Sequence, residues 1–387
     1  MRVAMITWEY PPLVVGGISP HVDGLSSALV RAGHEVVVLT LAHHDAPADV
    51  VVDGVRVLRA VTDQPWLPDD GFVARMASAN HHLVQLSARL GGWRPDVVHA
   101  HDWLVAWAGD TLQALWDVPM VATIHATERG RAGGHVAPGQ PSAISSVEWW
   151  LTYQARRVIA CSHFMVDEVV GAFSLPTGKV HMVPNGVDAG EWAPPVPEPR
   201  RGADGPLVVS WGRVQSEKGF QTLIDAAATL RNDVPGLRVV IAGRGSHLDA
   251  LRQQADHLGV ADVVHFAGFV PDDELRALLH RASAVVIPSF YEPFGIVALE
   301  ALAARAPVIA AASGGLGEIL GGTDAALLYP PGDVGALRHL LAQLLGDPTS
   351  AKAQQDAGDE LVRTRYSWDA VAAQTVPVYE LARRDKG

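Results

Sequence analysis

Ala193-Pro194-Pro195-Val196-Pro197-Glu198-Pro199-Arg200-Arg201-Gly202 divides the sequence into two halves of the same texture. Its prolines remove backbone donors and fix φ, so the stretch is neither a helix nor a central strand. It reads as the heart of an interdomain linker over 189–206. Before it, short Val/Ile-rich runs at 2–7, 35–40, 55–60, 96–100, 119–125, 157–161 and 180–184 alternate with helix-length segments at 19–33, 72–91, 104–116, 142–155 and 163–173. After it the pattern restarts. Strands are expected near 207–211, 238–242, 262–266, 284–287, 307–310 and 325–328, and helices near 218–231, 246–258, 272–281, 296–304 and 334–345. The tail from Ser350 to Arg384 reads as helix, broken at Tyr366-Ser367-Trp368-Asp369, where Ser367 is a plausible N-cap. Continuous apolar runs separated by helices mark a parallel sheet covered on both faces. The expected fold class is therefore α/β, two doubly wound domains in tandem. In such sheets ligands bind at the carboxyl ends of strands where strand order reverses, and two of them facing each other make a central cleft.

Composition narrows the function. The chain has 387 residues, 48% of them apolar and 19% charged, which is too apolar for disorder and suits two domains. A net charge of −12 argues against a nucleic-acid partner, since phosphate contact needs basic surface. Cys161 is the single cysteine, so neither an internal disulfide nor a Cys-rich zinc site can form, and a reducing, cytoplasmic compartment is expected. The first apolar run stops at Glu9 and meets Pro11-Pro12, too short for a signal peptide, and no run approaches the ~18 apolar residues of a membrane span.

Four groups of residues carry chemistry. In Ser289-Phe290-Tyr291-Glu292-Pro293-Phe294-Gly295-Ile296-Val297-Ala298-Leu299-Glu300, Pro293 keeps Glu292 on a loop and a helix opens near Gly295. The free N–H groups of a helix start suit a phosphate, and the two carboxylates flank it. That arrangement fits a molecule with hydroxyls at both ends and phosphates between them, as in a nucleotide sugar. The bland alternative is two solvated glutamates. In Trp211-Gly212-Arg213-Val214-Gln215-Ser216-Glu217-Lys218-Gly219, the cations Arg213 and Lys218 sit on a loop after a strand and can converge on one diphosphate, or be plain surface cations. Gly16-Gly17, between the first strand and the helix opened by Ser19-Pro20, allows close backbone approach to a ligand, though a simple turn reads equally well. No Gly-x-Gly-x-x-Gly follows the first strand, and Gly243-Arg244-Gly245-Ser246-His247-Leu248 has Leu248 in the third place, which disfavours an NAD enzyme. Finally, His125 ends one strand on the ligand side, and His99, His101 and Asp102 end another. With no second ligand group evident, no metal is expected there. His43-His44 and His81-His82 read as solvated surface.

Together Gly16-Gly17, His125, Asn185-Gly186-Val187-Asp188, Arg213 with Lys218, and Glu292 with Glu300 resemble glycosyltransferase family 4, retaining enzymes of the GT-B fold, over nearly the whole chain. Within that family Trp8-Glu9-Tyr10-Pro11-Pro12, His99-Ala100-His101-Asp102-Trp103 and Thr123-Ile124-His125-Ala126-Thr127-Glu128 look like glycogen-synthase-type α-glucosyltransferases, among them the actinobacterial α-1,4-glucosyltransferases that elongate methylglucose lipopolysaccharides. The glycine pair here follows Val14-Val15, without the Lys that bacterial glycogen and starch synthases carry just before it.

The resemblance implies two Rossmann-like domains, an acceptor-binding one at 1–188 and a nucleotide-sugar-binding one at 207–365, with a C-terminal helix at 366–387 packing back on the first. It implies donor binding by Gly16, Gly17, Arg213, Lys218, Glu292, Phe294, Gly295, Ile296 and Glu300. Arg213 and Lys218 would neutralise the diphosphate, helped by N–H groups near Phe294, Gly295 and Ile296. Glu300 would hold the ribose, Glu292 the sugar hydroxyls, and His125 would sit near the C6 hydroxyl and reaction centre. Catalytic roles fall to His125, Glu292, Arg213 and Lys218. His101, Asp102 and Asn185 are candidates on the acceptor side, and Glu318 is a further candidate.

The expected reaction moves glucose from UDP- or ADP-glucose onto an α-glucan or glucosylated acceptor, lipid-linked or free, forming an α-1,4 bond with no cofactor or metal. The alternatives are a relative with another donor, such as a GDP-mannose mannosyltransferase, and a non-catalytic sugar-nucleotide-binding protein. Trp149-Trp150 and Tyr153, near Arg156-Arg157, are expected to pack inward, so membrane contact is at most peripheral. Phe269 is placed near the base. Oligomeric state is not readable.

Overall fold

A computed structural model describes residues 1–62, 71–199, 201–203 and 205–385. The chain forms two compact units, Met1–Gly186 with Trp368–Gly387, and Val187–Ser367.

The first unit runs β1 (Arg2–Ile6), α1 (Ile18–Arg31), β2 (Glu35–Leu41), β3 (Asp49–Val52), β4 (Val55–Ala60), α2 (Phe72–Gln85), β5 (Val97–His101), α3 (Ala106–Trp116), β6 (Met120–Ile124), α4 (Glu128–Arg131), α5 (Gln140–Gln154), β7 (Arg157–Ala160), α6 (His163–Phe173) and β8 (Val180–Met182). Its sheet has the order β3-β4-β2-β1-β5-β6-β7-β8, parallel except for the antiparallel pair β3 and β4. Strand order therefore reverses between β1 and β5, where Val3 pairs with Val97 and Ile6 with Ala100. Val3, Ala4, Met5 and Ile6 are completely buried, as expected of a central parallel strand whose two faces are covered.

The second unit runs α7 (Ala189–Trp192), β9 (Leu207–Trp211), α8 (Phe220–Leu230), β10 (Arg238–Ala242), α9 (Leu248–His257), β11 (Val264–Gly268), α10 (Asp272–Arg281), β12 (Ala284–Ile287), α11 (Ile296–Ala303), β13 (Val308–Ala311), α12 (Gly314–Leu320), β14 (Leu327–Tyr329), α13 (Val334–Gly346) and α14 (Pro348–Arg365). Its sheet has the order β11-β10-β9-β12-β13-β14, and every pairing is parallel. Here the order reverses between β9 and β12. Leu223, Ile224, Val239, Ile241, Val286, Ile309 and Leu337 fill the core between this sheet and its helices.

The last helix, α15 (Trp368–Arg384), belongs to the first unit. Val371, Val378, Tyr379 and Ala382 on its inner face join Val22, Leu25, Leu29, Val3 and Met5 in one core. Arg31 and Asp369 pair at 2.7 Å on its outer edge.

The structure corrects three readings. The segment 189–206, expected as an interdomain linker, packs on the second unit. Asp188 caps α7 through its carboxylate, Trp192 is buried, and the Trp192 carbonyl lies 2.9 Å from His280 Nε2. Arg201 donates to the carbonyls of Leu279 and Ala304 at 2.6 and 2.9 Å, capping the ends of α10 and α11. The need to bury Trp192 and to satisfy helix-end carbonyls fixes this proline-rich stretch to the second unit. Next, Trp149 and Tyr153 do not pack inward. The buried face of α5 is Ile144, Glu148, Leu151 and Thr152, so Trp149 and Tyr153 fall on the opposite side, 46% and 62% exposed, with their rings stacked at 5.5 Å. Finally, β11 starts at Val264 rather than near 262, because Val263 and Val264 first donate to the Val260 carbonyl and close the turn after α9.

Candidate functional site

In the first unit the chemistry gathers at the β1/β5 reversal. Glu9, just past β1, is 2% exposed. Its carboxylate accepts from the backbone N–H groups of Gly16 at 3.1 Å, Ser19 at 3.2 Å and Val15. These are donors that the start of α1 would otherwise leave free, so Glu9 holds the glycine loop in shape. Burial raises its pKa, and the same N–H groups pull it back down. A methyl group built on Gly16 would meet only Glu9 Oε1, at 3.9 Å. The protein itself therefore leaves room for a side chain at Gly16.

Beside this loop stand four histidines. His21 lies in the first turn of α1, His99 and His101 in β5, and His125 just past β6. His99 Nδ1 is 2.8 Å from Tyr379 Oη, and His99 Nε2 is 2.7 Å from Thr123 Oγ1. The His99 ring packs against His101 with centroids 4.1 Å apart and planes tilted by 41°, and His101 Nδ1 is 3.4 Å from His125 Nε2. The His21 ring meets His125 edge to face at 4.7 Å. Burial drives His21 down to about 4 and His99 to about 3. It drives His101 and His125 well below the usual histidine range, and the neighbouring imidazoles push the same way. At neutral pH the group is uncharged, so His125 offers a hydrogen bond to a hydroxyl rather than a cation.

The acceptor-side candidates separate. His101 is wholly buried inside the histidine group, and the buried Asn185 lies beside His21. Asp102, also buried, has φ of 66° and accepts from Trp103 N at 3.0 Å. It faces Glu148, a completely buried carboxyl that accepts from Glu128 N at 2.9 Å. Burial, then the nearby Asp102, pushes Glu148 up to about 8. Arg131 is the opposing charge, and it lowers both carboxyls.

In the second unit the two expected loops flank the β9/β12 reversal, and Phe290 N donates to the Glu217 carbonyl at 2.8 Å, tying one loop to the other. Lys218 Nζ lies 2.8 Å from Glu292 Oε2, which also accepts from Ser289 Oγ at 3.1 Å. The sequence reading gave these two residues separate targets, whereas here they are each other's partner. Gly295 precedes α11 with φ of 109°, a conformation that a side chain disfavours, and this turns the Phe294-Gly295-Ile296 backbone into the helix start. Phe294 itself is buried edge-on to Tyr366 at 6.0 Å. On the side of α11, Glu300 accepts from Trp211 Nε1 at 3.2 Å, and burial pushes it up to about 7. Arg213 and Glu318 are exposed. Phe269 is 64% exposed, with the Arg244 guanidinium 5.6 Å from its ring.

Sequence reasoning missed the roles of Glu9, His21, Glu148, Trp211 and Ser289. Only His21 carried a signal, one helical turn after Gly17 and therefore on the loop side of α1.

Two doubly wound parallel sheets with their polar groups at each reversal define a glycosyltransferase of the GT-B fold. A sucrose-phosphate synthase from Thermosynechococcus elongatus superposes with a TM-score of 0.81 over 98% of both chains, at 24% identity. Residues 15–191 match the family described as Glycosyltransferase Family 4, and residues 197–360 match Glycosyl transferases group 1. A glycogen synthase from Mycobacterium tuberculosis is 39% identical across 99% of this chain and 95% of its own length. An alpha-maltose-1-phosphate synthase from the same organism is 32% identical across 98% and 99%. The chain belongs to glycosyltransferase family 4. No helix among the described residues is long and apolar enough to cross a membrane.

Proposed function

We propose that the protein is a retaining hexosyltransferase of the cytoplasm that moves glucose from UDP- or ADP-glucose onto an α-glucan or glucosylated acceptor, forming an α-1,4 bond without a metal. The observation that carries this reading is the Lys218–Glu292 pair at 2.8 Å, set beside the start of α11. The likeness to a glycogen synthase supports the choice of sugar and linkage.

In this reading negative charge builds on the departing diphosphate as the sugar becomes oxocarbenium-like. Lys218, Arg213 and the N–H groups of Phe294, Gly295 and Ile296 stabilise that charge where it develops. Gly16 and Gly17 carry no side chains and leave their loop open to a ligand oxygen. Glu292 does two jobs: it fixes the Lys218 ammonium and offers its second oxygen to sugar hydroxyls. Glu300 holds the ribose diol, and a carboxyl poised near neutrality can accept or donate there. Neutral His125 bonds a hydroxyl near the reaction centre. His101, Asp102 and Asn185 shape the acceptor side from behind that contact. The acceptor attacks from the leaving-group face and gives its proton to the departing phosphate, so configuration is retained.

Nucleotide release from UDP-glucose, ADP-glucose, GDP-glucose and GDP-mannose, with and without maltooligosaccharides, tests the reading. Release from a glucose donor that rises with maltooligosaccharide, with longer oligomers formed, is expected. Release from GDP-mannose alone would replace the donor. Binding without release from any donor would make the chain a sugar-nucleotide-binding protein.

A further inference from the structure

Three imidazoles from three separate elements of the first unit converge without a carboxylate among them. One ring nitrogen from each of His21, His101 and His125 can be chosen so that all three lie within 4.8 Å of one another. His101 Nδ1 and His125 Nε2 are 3.4 Å apart, long for a hydrogen bond between ring nitrogens. That spacing is instead the edge of a tetrahedron around zinc, about 3.4 Å for Zn–N bonds of about 2.0–2.1 Å. The ring nitrogens of His21 are buried, and among the described residues the one side chain that reaches them for a hydrogen bond is Asn185, whose Oδ1 is itself buried. Such buried polar atoms are normally satisfied.

His99 completes the support without being a ligand. Its two nitrogens are taken by Tyr379 and Thr123, and its ring lies against His101. Arg131, whose charge reaches His125, is paired with Glu128 at 3.6 Å.

We propose that His21, His101 and His125 bind one divalent cation of the borderline, imidazole-seeking class, represented by Zn2+ and Co2+. The three nitrogens start within 4.8 Å of one another, so small ring rotations bring them to the tetrahedral edge. The fourth position belongs to Asn185 Oδ1 or to solvent. The cation is not a cofactor. Resting on the proposed role of His125, it competes with the hexose for that ring, and so inhibits transfer.

The test is titration of EDTA-treated protein with Co2+ alone, followed by its visible d–d bands. The expected result is tetrahedral bands saturating at one equivalent and bleached by Zn2+. His21→Gln and His125→Gln should each weaken Co2+ binding more than about tenfold. The double variant His43→Gln, His44→Gln, which removes a surface pair, should bind as the parent does. The partly exposed His125 provides the usable variant if His21→Gln does not fold. No bands from folded parent protein, or bands that survive His125→Gln and vanish with His43→Gln, His44→Gln, would overturn the site. Because Co2+ absorbance is read without any sugar donor, a failed donor assignment leaves this outcome untouched. In the transfer assay Zn2+ should raise the donor KM while leaving kcat unchanged, and an effect confined to kcat would overturn the competition.

Discussion

Lys218 Nζ and Glu292 Oε2 sit 2.8 Å apart, one on the loop after β9 and the other on the loop after β12. The pair spans the strand-order reversal of the second sheet. The Lys218 side chain is only 19% exposed and that of Glu292 9%, so little solvent screens the pair. Lys218→Ala should lower turnover by about 10²–10³-fold, the scale of one lost group that stabilises developing charge. Saturating-donor nucleotide release measures it, and turnover at the parent level would remove Lys218 from the diphosphate.

Glu300 separates binding from chemistry. Glu300→Ala removes the partner of Trp211 Nε1 and the proposed ribose contact, so donor KM should rise by about tenfold or more while kcat changes little. A steady-state series over donor concentration decides it. A loss carried wholly by kcat would contradict the assignment.

Glu148 gives a pH signature of stability. Its native pKa of about 8 stands above the ordinary 4.5, so the unfolded chain releases this proton first as pH rises. The carboxyl therefore costs the fold nothing below about pH 4.5, an increasing amount up to about pH 8, and a constant amount beyond. Glu148→Gln keeps the oxygen that accepts from Glu128 N and removes the ionisation. Relative to the parent it should gain stability across that window, by on the order of a few kcal/mol at the top. Urea melts at pH 5 and pH 8.5 test this, and an equal difference at both would refute it.

Glu9 holds the glycine loop through three backbone N–H groups. Glu9→Ala leaves those donors unpaired, at about 1–3 kcal/mol for a buried group. Thermal melting should fall by several degrees and donor KM should rise. A variant with parent melting and parent KM would show that the loop keeps its shape unaided.

Two cations and a helix start can supply the charge that a metal supplies elsewhere, so transfer should persist after exhaustive EDTA treatment. Activity lost to EDTA and restored by a divalent ion would overturn the metal-free reaction.

The fold was largely legible because its signal is local. Strands buried on both faces read as runs of Val and Ile, and β1, β9 and β12 fell where those runs lie. The missed β3 is an edge strand, Asp49-Val50-Val51-Val52, mostly exposed and lacking a full apolar run. Its hairpin signal was present in Asp53-Gly54, whose φ values of 50° and 81° close a two-residue turn. The missed α12 hides behind Gly314, Gly315 and Gly317, poor helix formers that the Glu292 carbonyl fixes from outside through Gly315 N at 2.8 Å. In the site, residues on quoted loops were legible. The pairing of Lys218 with Glu292, and the meeting of His21 with His125, join positions far apart in sequence, and a single chain read along its length carries no sign of them.

The last helix has a consequence for biosynthesis. Tyr379 and its neighbours on α15 complete the core of the unit that begins at Met1, while the other unit is one unbroken stretch, Val187–Ser367. A ribosome delivers the chain from its amino end. The unit begun first must wait, lacking one wall, until the closing residues emerge, whereas the unit begun second can finish at once. The histidine group depends on Tyr379 for one of its hydrogen bonds, so it is assembled only after the whole of the second unit has been made. A chain stopped just after Ser367 would thus carry the second unit finished and the first one still open.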